Sequence, residues 1–62
     1  MNFELYEVWG VDDDGHEELI ETTASKKEAD ALAKTNLENY NETVIYQDID
    51  GELEEVDRFE LG

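Results

Sequence analysis

The sequence predicts an α+β fold of ββαββ order, a four-stranded antiparallel sheet with one helix packed on one face. Three observations predict it: two Asp-Gly pairs each flanked by β-prone runs, a helix-capping box between them, and a single apolar stripe of helical period behind that box. With 62 residues there is room for one small domain, residues 1–62, and for a thin core.

The segment Phe3–Val11 (FELYEVWGV) is rich in aromatic and β-branched residues and runs into Asp12-Asp13-Asp14-Gly15, a tight-turn signal. Its partner is expected over residues 18–23. Ser25-Lys26-Lys27-Glu28 fits the S-x-x-E box, in which the serine hydroxyl accepts from the Glu28 amide and the glutamate reaches back to the serine amide. Ala29, Leu32, Ala33, Leu37 and Tyr40 then form one stripe of a 3.6-residue period, with Asp30 and Lys34 spaced to pair outside it. Asn39-Tyr40-Asn41 is the expected helix end, since asparagine tolerates the left-handed conformation. A second hairpin follows, Thr43–Gln47 rising to Asp50-Gly51 and Leu53–Leu61 returning. The two turns share Asp-x-Asp-Gly, a weak internal repeat that the general preference for Asp-Gly turns also explains.

One stripe of one helix covers one sheet face, so the other face should be open. Both faces of the first strand carry apolar groups: Phe3, Leu5, Trp9 and Val11 on one, Tyr6 and Val8 on the other. On the last strand Leu53, Phe59 and Leu61 share a phase opposite to Val56. Glu7 interrupts the richer set, which leaves the choice of covered face undetermined.

Charge is the most informative feature. The chain has 19 acidic and 4 basic residues, a formal net charge of −15, and no cysteine. Residues 1–25 sum to −8, 26–41 to 0 and 42–62 to −7, so the net charge lies on the two hairpins. Such a surface repels nucleic-acid phosphates and anionic membranes, which argues against direct binding to either. No apolar run is long enough for a transmembrane helix, and the acidic start lacks the pattern of a signal peptide, so a cytoplasmic location is expected. Without cysteine there is neither a disulfide framework nor a thiolate metal site.

Catalytic chemistry finds little to work with. The single serine is the helix cap, the single histidine, His16, sits in a turn, and so short a chain has little room for a pocket that would raise a carboxyl pKa. Asp12, Asp14, Gly15 and Glu21 match positions 3, 5, 6 and 12 of a calcium-binding EF-hand loop, but Gly10 stands where the first ligand belongs and the flanks read as strands. No enzyme activity, cofactor or metal site is therefore expected.

The acidity has three readings: solvated strands that keep a small domain soluble, a docking surface for a basic protein, or adaptation to high salt. The docking reading places carboxylates at Asp12, Asp13, Asp14, Glu17, Glu18, Asp48, Asp50, Glu52, Glu54 and Glu55, with Trp9, Tyr46 and Phe59 as anchors. A basic partner points to proteins that hold nucleic acid, whose phosphate-gripping surface an array of carboxylates can imitate. In size, charge and lack of catalytic residues, the chain resembles the small acidic inhibitors of phages and mobile elements, and this resemblance implies DNA mimicry. The competing expectation is a small accessory domain that forms a homodimer through its open sheet face.

Overall fold

The computed structural model describes residues 4–60, so Phe3 and Leu61 lie outside the described residues. The elements are β1 (Leu5–Val11), β2 (Glu17–Thr23), α1 (Lys26–Asn36), β3 (Glu42–Ile49) and β4 (Glu52–Glu60). All neighbouring strands are antiparallel, in the order β2-β1-β3-β4, and the helix packs against the sheet. This is the predicted ββαββ architecture. The connection through α1 carries the chain past β1, which makes β1 and β3 the central strands and leaves β2 and β4 as edges.

The two hairpins close differently despite their shared Asp-x-Asp-Gly. In the second, Asp50 and Gly51 are the whole loop and both have positive φ, 52° and 85°, the type I′ geometry that matches strand twist. In the first, the loop spans residues 12–16. Asp12 Oδ1 accepts from the backbone N–H groups of Asp14 and His16, each at 2.9 Å, and only Gly15 has positive φ. The repeat in sequence is not a repeat in backbone.

Ser25 caps α1 as its spacing predicts, in extended conformation with its hydroxyl accepting from the Glu28 amide. The reciprocal half of the box is relayed. The Ser25 amide donates to Thr23 Oγ1 at 3.2 Å, and that hydroxyl donates to the Glu28 carboxylate at 2.8 Å. At the other end the expected left-handed asparagine is not used. The helix stops at Asn36, whose side-chain amide bonds back to the Leu32 carbonyl, and Leu37 caps it in right-handed conformation. Bonds from the amides of Leu37, Glu38 and Asn39 to carbonyls three residues earlier then tighten the turn.

The core settles which face is covered. Tyr6 and Val8 of β1, Ala29 and Ala33 of α1, and Ile45 of β3 are buried together, with Ile20, Leu32 and Phe59 packed against them. The covered set on β1 is thus the sparser one, Tyr6 and Val8. The two alanines let the helix axis come close to the strands, and Thr43, fully buried, donates its hydroxyl to the Ala33 carbonyl at 2.9 Å. Among the described residues no buried polar side-chain atom lacks a partner. Asp30 pairs with Lys26 rather than with Lys34: Lys26 bridges Asp30 at 2.7 Å and Asp57 of β4 at 3.3 Å, tying the helix to an edge strand. Lys34 instead places its ammonium 5.6 Å from the centre of the Phe59 ring.

Two bulges set the faces of the edge strands. The β1–β2 register shifts between Val8 and Trp9, and the β3–β4 register shifts between Ile45 and Tyr46, leaving Val56 as the extra residue of β4. Because the side-chain period of a strand is two, one inserted residue reverses every phase beyond it. Leu53 and Phe59, which share a phase in the sequence, therefore lie on opposite faces: Phe59 opposite Thr43 toward the helix, Leu53 opposite Asp48 away from it.

Candidate functional site: the open sheet face

With Tyr6, Val8 and Ile45 turned to the helix, alternation turns Glu7, Trp9, Val44 and Tyr46 to the uncovered side. The paired registers arrange that side in four rows across the sheet. The first is Glu17, Val11, Glu42 and Glu60, next to the β1–β2 turn; the second is Leu19, Trp9, Val44 and Arg58. The third is Thr22, Glu7, Tyr46 and Glu55, and the fourth is Leu5, Asp48 and Leu53. An apolar row ending in a cation thus lies between two acidic ones.

The side chains knit these rows together. The Trp9 and Tyr46 rings meet edge to face, with centroids 6.4 Å apart and planes at 89°. The indole N–H donates to Glu7 at 3.1 Å, and the Tyr46 hydroxyl, crossing from β3 past β1, donates to Glu17 of β2 at 2.9 Å. Both aromatic polar groups end on carboxylates of the same face. Arg58 donates from one guanidinium nitrogen to Glu42 and from the other to Glu55 at 2.8 Å, joining β3 and β4. Beneath this layer Val44 has no exposed surface, although it belongs to the uncovered side. Its cross-strand neighbours are Trp9 and Arg58. The open face is therefore a second, thin packed layer with half-buried aromatics and an acidic margin, while Leu5, Leu19 and Leu53 stand 40%, 50% and 47% exposed at its edges.

Electrostatics follow from that arrangement. Burial first, then the bond to Glu17, pushes the Tyr46 phenol above its ordinary pKa, and Arg58 opposes the shift. The bond to Glu55 leads the effects that raise the Arg58 guanidinium further. Six carboxylates, at Glu7, Glu17, Glu42, Asp48, Glu55 and Glu60, share the face with one arginine.

The structure gathers only part of the residue set that the sequence nominates. Trp9, Tyr46, Glu17, Asp48 and Glu55 lie on the open face. Phe59 packs against the core on the helix side, under Lys34, apart from Trp9 and Tyr46. Glu18, Glu52 and Glu54 also lie on the helix side, opposite Gly10, Ile49 and Gln47, and Glu18 accepts the Tyr40 hydroxyl at 3.1 Å. Asp12, Asp13 and Asp14 lie in the turn at one end of the strands and Asp50 in the turn at the other, on a body 38 × 20 × 16 Å, so the two acidic turns are not brought together. Glu7, Glu42, Arg58 and Glu60 are the charged additions. Alternation from Trp9 carries Glu7, whereas the Val56 bulge hides the phase of Arg58.

Two other features gather polar groups. Asp12, Asp14 and His16 hold ligand-type atoms within 4.8 Å of one another, but Asp12 Oδ1 already accepts two turn amides and Glu21 pairs with Val8, well along β2 from the turn. The EF-hand spacing is thus not an EF-hand geometry. Between that turn and the loop after α1 runs an open polar groove of about 270 Å³, edged by Asp12, Asp13, Glu38 and Tyr40. Its lining holds no serine, histidine or lysine.

No protein-family model matches the chain, and no curated protein or solved structure matches it either.

Proposed function

We propose that this chain is a non-enzymatic, acidic protein-interaction module whose open sheet face engages a basic partner. One observation carries the reading: six carboxylates and one arginine surround a half-buried Trp9–Tyr46 pair on the uncovered face, whereas the helix segment is charge-balanced. Aromatic anchors within a charged margin suit a protein interface, and the carboxylates steer a positive surface toward them.

The concrete partner class is a protein that normally grips nucleic acid. A net charge of −15 along a 38 Å body is one charge per about 2.5 Å, against one per about 1.7 Å for duplex DNA. On the open face β3 carries a carboxylate toward each end, Glu42 and Asp48, and β4 carries Glu55 and Glu60 on either side of Arg58, so negative charge is spread over the length of the sheet for such a protein to grip. DNA mimicry is therefore the form the reading takes.

The test is retention of a basic nucleic-acid-binding protein by the immobilised chain, with release by salt and by competing DNA. Replacing Glu17, Glu42 and Glu60 together by Gln should weaken retention far more than replacing Glu38, Glu52 and Glu54, which changes the net charge equally. Equal losses from the two sets would remove the open face from the proposal.

The exposed Leu5, Leu19 and Leu53 favour a second reading, an accessory domain that homodimerises through the same face. Its six carboxylates would then confront six more. Sedimentation equilibrium decides: a dimer that Trp9→Ala dissociates and added salt strengthens would replace the basic-partner reading.

A further inference from the structure

We propose that the Glu42–Glu55 carboxylate pair is the seat of an arginine from the basic partner, and that Arg58 is an internal stand-in which the partner's guanidinium displaces. This rests on the basic-partner reading above and specifies the side chain that reads the open face.

The six carboxylates of the open face differ in what they hold. Glu7 and Glu17 accept from neutral donors, the Trp9 indole and the Tyr46 hydroxyl, which bring no opposing charge. Asp48 accepts the Gly51 amide of the β3–β4 turn. Glu60 lies opposite Glu42 on the edge strand, and among the described residues Glu42 and Glu55 are the two of the six bridged by a cation, which is the only arginine of the chain. The two carboxylates come from different strands, and the guanidinium meets each with a different terminal nitrogen, as a planar fork does and a lysine ammonium does not. The position also has a floor and a wall: Val44 lies opposite Arg58 in the β3–β4 register, and Tyr46 lies opposite Glu55.

Arg58 holds this position loosely. Its side chain is 43% exposed, the Glu55 side chain 46% and the Glu42 side chain 29%, and ion pairs this open to water contribute little. A long side chain released from both carboxylates has solvent to move into. An incoming arginine, anchored on a partner that the rest of the face already holds, meets the same two acceptors at high effective concentration. Charge complementarity selects the occupant: with Arg58 in place the face still carries five uncompensated negative charges, so a second copy of this chain brings like charge, whereas a basic surface brings the missing one.

The experiment uses the intact chain with nona-arginine and nona-lysine as probes, followed by calorimetry or Trp9 fluorescence. Arg58→Gln is compared with Lys27→Gln, which makes the same change in net charge on the exposed helix surface. Arg58→Gln should tighten nona-arginine binding about tenfold, the scale of one added charge-assisted bidentate contact, while Lys27→Gln changes it less than about twofold. Nona-lysine should gain no more from Arg58→Gln than from Lys27→Gln. Adding Glu42→Gln and Glu55→Gln to Arg58→Gln should abolish the arginine preference. Equal effects of Arg58→Gln and Lys27→Gln, or an equal gain for the two peptides, would overturn the assigned seat and leave the basic-partner reading standing. Failure of either peptide to bind the unaltered chain at low salt would overturn both. Near-ultraviolet circular dichroism of Trp9 and Tyr46 confirms that each variant keeps the fold.

Discussion

The ring of Tyr40 lies directly on Gly10: a β-carbon built on that glycine would come within 2.5 Å of the ring Cγ. The glycine is buried on the helix side of β1, and Tyr40 closes the end of the core that α1, stopping at Asn36, does not reach. Glycine here answers a need for space.

Gly10→Ala should therefore destabilise the domain by about 2 kcal/mol, the usual cost of overpacking, measured as a lower urea midpoint at unchanged slope. In a Tyr40→Ala background the same change should cost much less, because the clashing ring is gone. Equal costs in the two backgrounds would refute the contact.

The relayed cap gives a second prediction. Thr23→Val removes the hydroxyl that links the Ser25 amide to the Glu28 carboxylate, and should cost about 1 kcal/mol, similar to Ser25→Ala. Urea titration of both variants checks it. A Thr23→Val chain as stable as the parent would mean that Glu28 reaches Ser25 unaided.

Alkaline stability follows from the tyrosines. The phenols of Tyr6 and Tyr46 are raised first by burial, and that of Tyr40 first by its bond to Glu18. Above the ordinary value of about 10, the unfolded chain loses these protons while the folded one retains them, so stability is full below that pH and falls as pH rises through it. Tyr46→Phe should flatten the decline between about pH 9 and pH 11, read from urea midpoints at each pH.

Self-repulsion should make the fold salt-dependent. Raising monovalent salt from about 0.01 M to 0.15 M shortens the Debye length from about 30 Å to about 8 Å, and should raise the Tm by about 5 °C. A Tm flat across that range would mean that the sheet's carboxylates are already balanced by their hydrogen bonds.

How far the sequence could be read depended on how local each signal was. The type I′ turn at Asp50-Gly51 and the Ser25 cap are decided within a few residues, and both stand where the sequence places them. The face of Phe59 depends on Val56, three residues away, because a single bulge reverses the strand's phase and leaves no compositional mark. The end of α1 depends on Asn36 bonding back to Leu32, which competes with the left-handed ending that asparagines also allow. The open-face site is harder still. Trp9 and Tyr46 stand out as aromatic residues, but their bonds to Glu7 and Glu17 need the order β2-β1-β3, and the hairpin signals say nothing about which strands become central. Arg58 lies among so many acids that only the register shows which two it holds.

The separation of a charge-balanced helix from a charged sheet has a kinetic consequence. A positive surface approaching such a body exerts a torque as well as a pull, turning the sheet side forward before any atoms touch. Fewer collisions are then wasted on the wrong orientation, so the association rate should fall steeply with ionic strength. The dissociation rate, governed by the partly buried contacts at Trp9 and Tyr46, should change far less.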